Sequence, residues 1–299
     1  MLPGFENYLR FERQLSEVTT KSYLRMVCQF KNFLSQDILN GGDLNKANRQ
    51  DVSSFLASLK DKNSVSSISL FIVALRCYYK WAYYFFKGED LGQLSFFLNN
   101  IIKLKRVRGV IPIPTRDEVV KLRSVLSQYL KLNSWNKDGR PYRDTLRAYA
   151  IIELLITAGL RSKELRDLCR QDVDLENRTI FIRSGKGGHQ RISLFGESAV
   201  NVLNEYFEIN KFYPDQKLFS VAQYNVIYRT VKLWAAKAQI NPNVYTHSFR
   251  HYFITESQRL GVKIQDVADQ VGHRDLNTTR NYTHLNIGYL QDVYKDKTI

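Results

Sequence analysis

The apolar positions in the first hundred residues recur every three or four places, the spacing of one face of a helix. SYLRMVCQFKNFL, residues 22–34, sets Tyr23, Met26, Val27, Phe30, Phe33 and Leu34 along one stripe. RQDVSSFLASLK (49–60) repeats the pattern through Val52, Phe55, Leu56 and Leu59. In SISLFIVALRCYYKWAYYFF (67–86) the stripe runs through Ile68, Phe71, Ile72, Leu75, Tyr79 and Ala82, and the aromatic end is apolar almost all round. With an opening segment at 3–14, these stretches predict about four packed helices in a small bundle.

The pattern then breaks. KLKRVRG (103–109) is a basic run ending in glycine, and Pro112 and Pro114 follow it. Neither proline suits a helix interior, and each biases the residue before it toward extended backbone. Residues 103–114 therefore read as a linker between a helical domain, 1–102, and a second domain, 115–299. TRDE (115–118) opens that domain with a capping-box pattern. A polar stretch, 133–144, interrupts before an apolar helix at 145–158, and Gly159 precedes a short segment, RSKELRDL (161–168). TIFIRS and RISLF flank SGKGGHQ, which predicts two strands joined by a glycine-rich turn. Helical periodicity returns at 196–211, 223–238, 247–259, 263–271 and 287–294. The fold class expected is mainly α, with a small β-hairpin in the second domain.

Composition narrows the function. A chain of 299 residues, 44% hydrophobic, can bury two cores. No stretch approaches the roughly 20 apolar residues of a membrane span. The opening MLPGFENYLRFERQ carries charges where a signal peptide needs an apolar centre, so a cytoplasmic location is expected. Three cysteines without a CxxC pair argue against disulfides and against a cysteine zinc site. The formal charge of +15 points to a polyanion. Residues 1–111 hold 16 Lys and Arg against 9 Asp and Glu, and residues 112–299 hold 28 against 20. Both halves are basic, as two domains gripping one nucleic acid would be. Lys103, Lys105, Arg106 and Arg108 are expected to meet phosphates along the connector.

The candidate chemistry lies toward the C-terminal end. Arg161 and Glu164 stand at i and i+3, where their side chains can meet. Lys186 sits in SGKGG, whose glycines let a hairpin tip approach another backbone closely. Histidine is scarce, yet four of five (His247, His251, His273, His284) fall in residues 247–299. Two of them frame THSFRH (246–251), which puts His247 and Arg250 on one helical face and Phe249 toward a core. His247 and His251 have the spacing of a zinc motif, but position 248 is serine where that motif needs glutamate, and Arg250 would oppose the metal. No metal is expected. Arginine's planar fork suits phosphate oxygens. GHRDLNTTRNYTH (272–284) adds His273 and Tyr282. Two arginines, a lysine, two histidines and a tyrosine, without a carboxylate cluster for Mg²⁺, suit metal-free attack on a phosphodiester. Tyr282 would be the nucleophile and Lys186 the proton donor to the leaving oxygen, with His189 and Arg191 as alternative donors.

These residues, in this order and wording, resemble the tyrosine recombinase family: TAGLRSKEL, Lys186 between two strands, THSFRHYF and VGHRDLNTTRNYTH look like its signature boxes. The resemblance covers both halves and implies a helical core-binding domain followed by an α+β catalytic domain. Its size is similar to the Xer and simple transposon or phage recombinases. It implies a site-specific recombinase in which Tyr282 forms a 3′-phosphotyrosine and strands exchange through a Holliday junction. By resemblance Arg161 and Arg250 hold the non-bridging oxygens, His247 and His273 bond beside them, Lys186 is the general acid and Glu164 orients the pocket. No cofactor is implied. The implied partners are double-stranded DNA carrying a specific recombination site and three further copies, a homotetramer on two sites. The 287–294 helix would dock on the next protomer, and accessory DNA-bending proteins are among the partners the resemblance allows. Two alternatives stay open here: a type IB topoisomerase, and a DNA-binding accessory protein without catalysis.

Overall fold

A computed structural model describes residues 2–36, 42–87, 89–100, 111–183, 190–219 and 225–272. The chain divides into two compact units, Met1–Gly109 and Val110–Ile299. Among the described residues no helix is long and apolar enough to cross a membrane.

Among the described residues, the regular elements of the first unit are all helical. α1 (Pro3–Asn7) continues into a π-helical turn, Tyr8–Glu12, before α2 (Glu17–Leu34), α3 (Arg49–Lys60), α4 (Val65–Phe86) and α5 (Glu89–Asn100). The starts follow local chemistry. Ser16 accepts from the Thr19 amide at the head of α2. At α3 Asn48 and Asp51 cap each other's backbone, the Asn48 amide donating to Asp51 at 2.8 Å and the Asp51 amide to Asn48 at 3.1 Å. The predicted stripes bury together: Phe30, Phe55, Leu75 and Tyr79 are all core residues, and the Tyr79 hydroxyl donates to the Leu44 carbonyl at 2.9 Å. Among the described residues the bundle holds five helices, where about four were expected. α5 buries Leu91, Leu94 and Leu98, and Arg76 of α4 donates to the Leu98 carbonyl. Three buried leucines over one short helix, with Phe96 exposed among them, are a weak periodic signal beside the long stripe of α4.

The second unit opens as its sequence predicts. Thr115 and Glu118 form the reciprocal cap of α6 (Arg116–Leu132). The polar stretch 133–144 differs from the interruption expected of it. Only Ser134–Asn136 is a separate short turn, and α7 (Arg140–Ala158) already begins at Arg140 with Pro141 in its first turn. Proline fits there because first-turn amides have no intrahelical acceptor. Asp144 pairs with both Arg140 and Arg147, so the stretch is polar because this end of α7 faces water.

Farther along, α7 is buried all round, with Ile151, Ile152, Leu154 and Leu155 at 0% exposure, and it packs against α6, α9 (Glu197–Asn210) and α11 (Thr246–Arg259). α8 (Ser162–Asp167) leads into a three-stranded antiparallel sheet of order β1-β2-β3: β1 (Val173–Asp174), β2 (Thr179–Ile182) and β3 (Arg191–Leu194). β2 and β3 are the predicted pair, in register Ile182 with Arg191 and Phe181 with Ile192. β1 is two residues long, too short for any period to show. α10 (Val226–Lys237), α11 and α12 (Ile264–Val271) lie within the predicted helical spans, apart from one residue at the start of α11.

α7 ends at Gly159, whose φ of 61° is left-handed. A β-carbon there would lie 2.6 Å from the Phe253 ring. Gly261 also has positive φ, 82°, but open space around it. We expect Gly159→Ala to cost about 1–3 kcal/mol more than Gly261→Ala, the added amount being overpacking against Phe253. Urea denaturation of both variants measures the difference. Equal losses would show that only backbone conformation matters at Gly159.

Candidate active site

Arg161 immediately precedes α8, and its position is set by the turn after Gly159. Glu164 reaches back to it as the i, i+3 spacing expects: the Arg161 amide donates to Glu164 Oε2 at 2.9 Å and Arg161 Nη1 donates to Oε1 at 2.8 Å. A second arginine meets the same carboxylate. Arg191, the first residue of β3, donates Nη1 to Oε1 at 2.8 Å and Nη2 to Oε2 at 3.0 Å. Four donors thus converge on one buried carboxylate, which has about four lone-pair positions to offer. Burial alone would push the Glu164 pKa up; the bonds and charge of Arg191, then those of Arg161, outweigh it and hold the pKa at about 2.

α11 brings the remaining cation. Ser162 Oγ donates to Thr246 Oγ1 at 2.9 Å, joining the start of α8 to the start of α11. One turn on, Arg250 donates Nη1 to the Gly159 carbonyl at 2.7 Å and Nη2 to the Val271 carbonyl. Phe249 fills the core, as predicted, but Arg250 is buried too, at 1% exposure. That differs from an arginine waiting in an open cleft. Its side chain runs inward because two backbone carbonyls at the ends of α7 and α12 need donors.

The histidines separate by environment. His247 reaches the surface, and desolvation together with the cations of Arg250 and Arg161 lowers its pKa. His251 is buried; burial, then His247 and Arg250, lower its pKa to about 4. The two rings meet edge to face with centroids 5.5 Å apart. His251 is therefore a packing partner of His247, as its place in THSFRH suggests. Among the described residues no three His, Cys, Asp or Glu side chains are grouped as a metal site requires.

The structure thus gathers Arg161, Glu164, His247 and Arg250 around one point. Lys186, His273, Tyr282, the connector cations Lys103, Lys105, Arg106 and Arg108, and the 287–294 segment lie outside the described residues. Arg191 changes standing. As an alternative proton donor it is ill placed, since Nη1 and Nη2 are spent on Glu164 and Nε donates to the Gln270 carbonyl at 3.0 Å. Gln270 and Gly272 were not foreseen. Gly272 has φ 68°, its carbonyl accepts from Arg161 Nη2 at 2.8 Å, and a β-carbon there would come within 3.1 Å of Arg191.

The profile of the phage integrase family matches residues 126–288, more than half of the chain and every candidate catalytic position. The chain belongs to this family, the tyrosine recombinases. The profile of the phage integrase N-terminal SAM-like domain matches residues 2–84 of the helical unit. Tyrosine recombinase XerC of Actinobacillus pleuropneumoniae is 27% identical over 296 residues, covering 96% of this chain and 90% of that protein. Tyrosine recombinase XerA of Saccharolobus solfataricus is 29% identical over 289 residues, covering 92% and 85%. A crystal structure of XerA recombinase superposes with a TM-score of 0.54 at 27% identity, covering 100% of this chain and 98% of that one. The XerH recombinase bound to its difH substrate shares the fold, with a TM-score of 0.70 at 21% identity, covering 95% and 81%. The recombinase reading therefore holds over the DNA-relaxing and non-catalytic alternatives.

A carboxylate held below its usual range stabilises the fold fully above its unfolded pKa, and that contribution is lost as pH falls through the folded value. Glu164→Gln should be less stable than the wild type by on the order of 3 kcal/mol at pH 7. The gap should close as pH falls from 4.5 toward about 2. Denaturation at a series of pH values tests this. A gap that does not change with pH would remove the carboxylate's charge from the account.

Proposed function

We propose that this recombinase cleaves each strand of its DNA site by attack of the Tyr282 hydroxyl on the scissile phosphorus. A phosphorus–oxygen bond to tyrosine forms as the bond to the 5′ oxygen breaks, leaving a 3′-phosphotyrosine and a 5′-hydroxyl. The hydroxyl of the partner strand then reverses the step, and two such exchanges pass through a Holliday junction. Because bond energy is retained in the phosphotyrosine, the cycle needs no cofactor.

The observation that supports this reading is the clustering of Arg161, Arg250 and His247 at the meeting of α8, α11 and α12. Arginine charge there offsets the negative charge that builds on the pentavalent phosphorus. Arg250 is buried, so the proposal requires that phosphate binding uncover it. His247, with its lowered pKa, is the neutral imidazole suited to take the phenol proton or to bond a phosphate oxygen. His273 bonds beside it, Glu164 keeps Arg161 in place, and Lys186 protonates the leaving 5′ oxygen.

The substrate is double-stranded DNA with a specific site, contacted also by Lys103, Lys105, Arg106 and Arg108 of the connector 103–114, which joins the core-binding domain 1–102 to the catalytic domain 115–299. Four copies act on two sites in the cytoplasm, as a recombinase of a mobile element or an Xer-like resolvase. The apolar spacing of Ile287, Leu290, Val293 and Tyr294 supports a terminal helix that docks on the neighbouring copy. Sequencing DNA covalently trapped on the protein in cells would supply the site.

On a duplex carrying that site, Tyr282→Phe should abolish the covalent adduct and leave binding nearly unchanged. Peptide mapping that finds the phosphate on Tyr289 or Tyr294 would overturn the assignment. Lys186→Ala should slow cleavage of ordinary DNA by ~10²–10⁴. A substrate with sulfur in the 5′-bridging position leaves without a proton and should be far less affected. Equal slowing of both would mean that Lys186 positions DNA rather than donating a proton.

A further inference from the structure

The last residues of α12 do an unusual share of the bonding at the site. A helix leaves its final carbonyls without intrahelical donors. Here three in succession accept from three different arginines: Gln270 from Arg191 Nε at 3.0 Å, Val271 from Arg250 Nη2, and Gly272 from Arg161 Nη2 at 2.8 Å. Consecutive carbonyls have a spacing fixed by backbone geometry. The arginines that bond to them inherit that spacing.

What holds this end of α12 is the side chain of Gln270. Its Oε1 accepts from the Leu194 amide at 3.0 Å, while Nε2 donates to the Leu194 carbonyl at 2.6 Å and to Ser193 Oγ at 2.9 Å. The amide group thus pairs with β3 in both directions, as a neighbouring strand would, and Ser193 is fully buried beneath it. The Gln270 main chain and side chain bind the same strand at its two ends, Arg191 and Leu194.

We propose that Gln270 is a positioning residue for strand cleavage: by fixing the end of α12 to β3 it sets the relative placement of Arg161 and Arg250 for the phosphate. The inference rests on the reading of those two arginines as the phosphate-binding cations. Gln270 acts on them through the Val271 and Gly272 carbonyls that follow it. A residue that only closed the sheet edge would affect all substrates alike. One that places cations matters in proportion to the charge they neutralise.

The test compares two duplexes carrying the site recovered by covalent trapping, one with a normal scissile phosphate and one with an uncharged methylphosphonate in its place. Gln270→Leu keeps the bulk and loses all three side-chain bonds. It should bind DNA as the wild type does and cleave the phosphodiester roughly 10- to 100-fold more slowly. Its loss on the methylphosphonate should be under about threefold, because there is little charge left to offset. Gln270→Glu retains an acceptor for the Leu194 amide and loses both donated bonds. It should show the same substrate dependence at smaller amplitude, and it decides the matter if the leucine variant does not fold. Equal slowing on both duplexes, or no slowing of the phosphodiester, overturns the proposal. Arg161→Ala is the reference. If it too slows both duplexes equally, the phosphate reading falls and this inference with it; if it discriminates and the Gln270 variants do not, only the inference falls.

Discussion

Three guanidinium groups converge on the end of one helix, two of them also on one buried carboxylate, and the second unit is arranged around that convergence. Arg161, Arg191 and Arg250 carry like charge, and placing them together without compensation would be costly. Glu164 offsets two of them directly through three guanidinium bonds, and the Arg161 amide adds a fourth. The closing carbonyls of α12 bear the negative end of its dipole and accept from all three. The contributors are spread over four elements, α8 with its cap, β3, α11 and α12. The cluster exists only when the whole unit is folded.

The rigid base for this arrangement is α7. Its buried middle leaves it no freedom to shift, and its end delivers both Gly159, whose carbonyl holds Arg250, and the turn that presents Arg161. A second buried charge is settled the same way within the helix itself: Glu153 accepts two bonds from Arg123 and one from Ser198, tying α7 to α6 and α9. Glu153 and Glu164 thus serve as joints between elements, each satisfied by an arginine's planar fork.

Much of the fold was legible because the elements that carry it are long and periodic. α2, α3, α4 and the helices after residue 196 show their apolar stripes, and Thr115 with Glu118 marks the start of α6 by local chemistry alone. α5, β1 and the first turn of α7 were not legible: they are too short or too polar for a period to register. At the site, the Arg161–Glu164 pair could be read because its partners are three residues apart. The Arg191–Glu164 pair spans 27 residues and the Arg161–Gly272 bond 111, and no spacing rule reaches that far. Nor does residue type foretell a buried Arg250, since arginine is among the residues least often enclosed. The family signature located the chemistry, and tertiary structure alone supplied the network that holds it.

β3 is the open edge of a small sheet, and its outer side chains Ile192 and Leu194 are exposed and apolar. Such an edge is a template for pairing with another chain, the first step of aggregation. At Leu194 the template is already filled, because one glutamine amide occupies both the outward N–H and the outward C=O. A second copy of this basic chain therefore finds no unpaired backbone group at Leu194 with which to zip strand to strand.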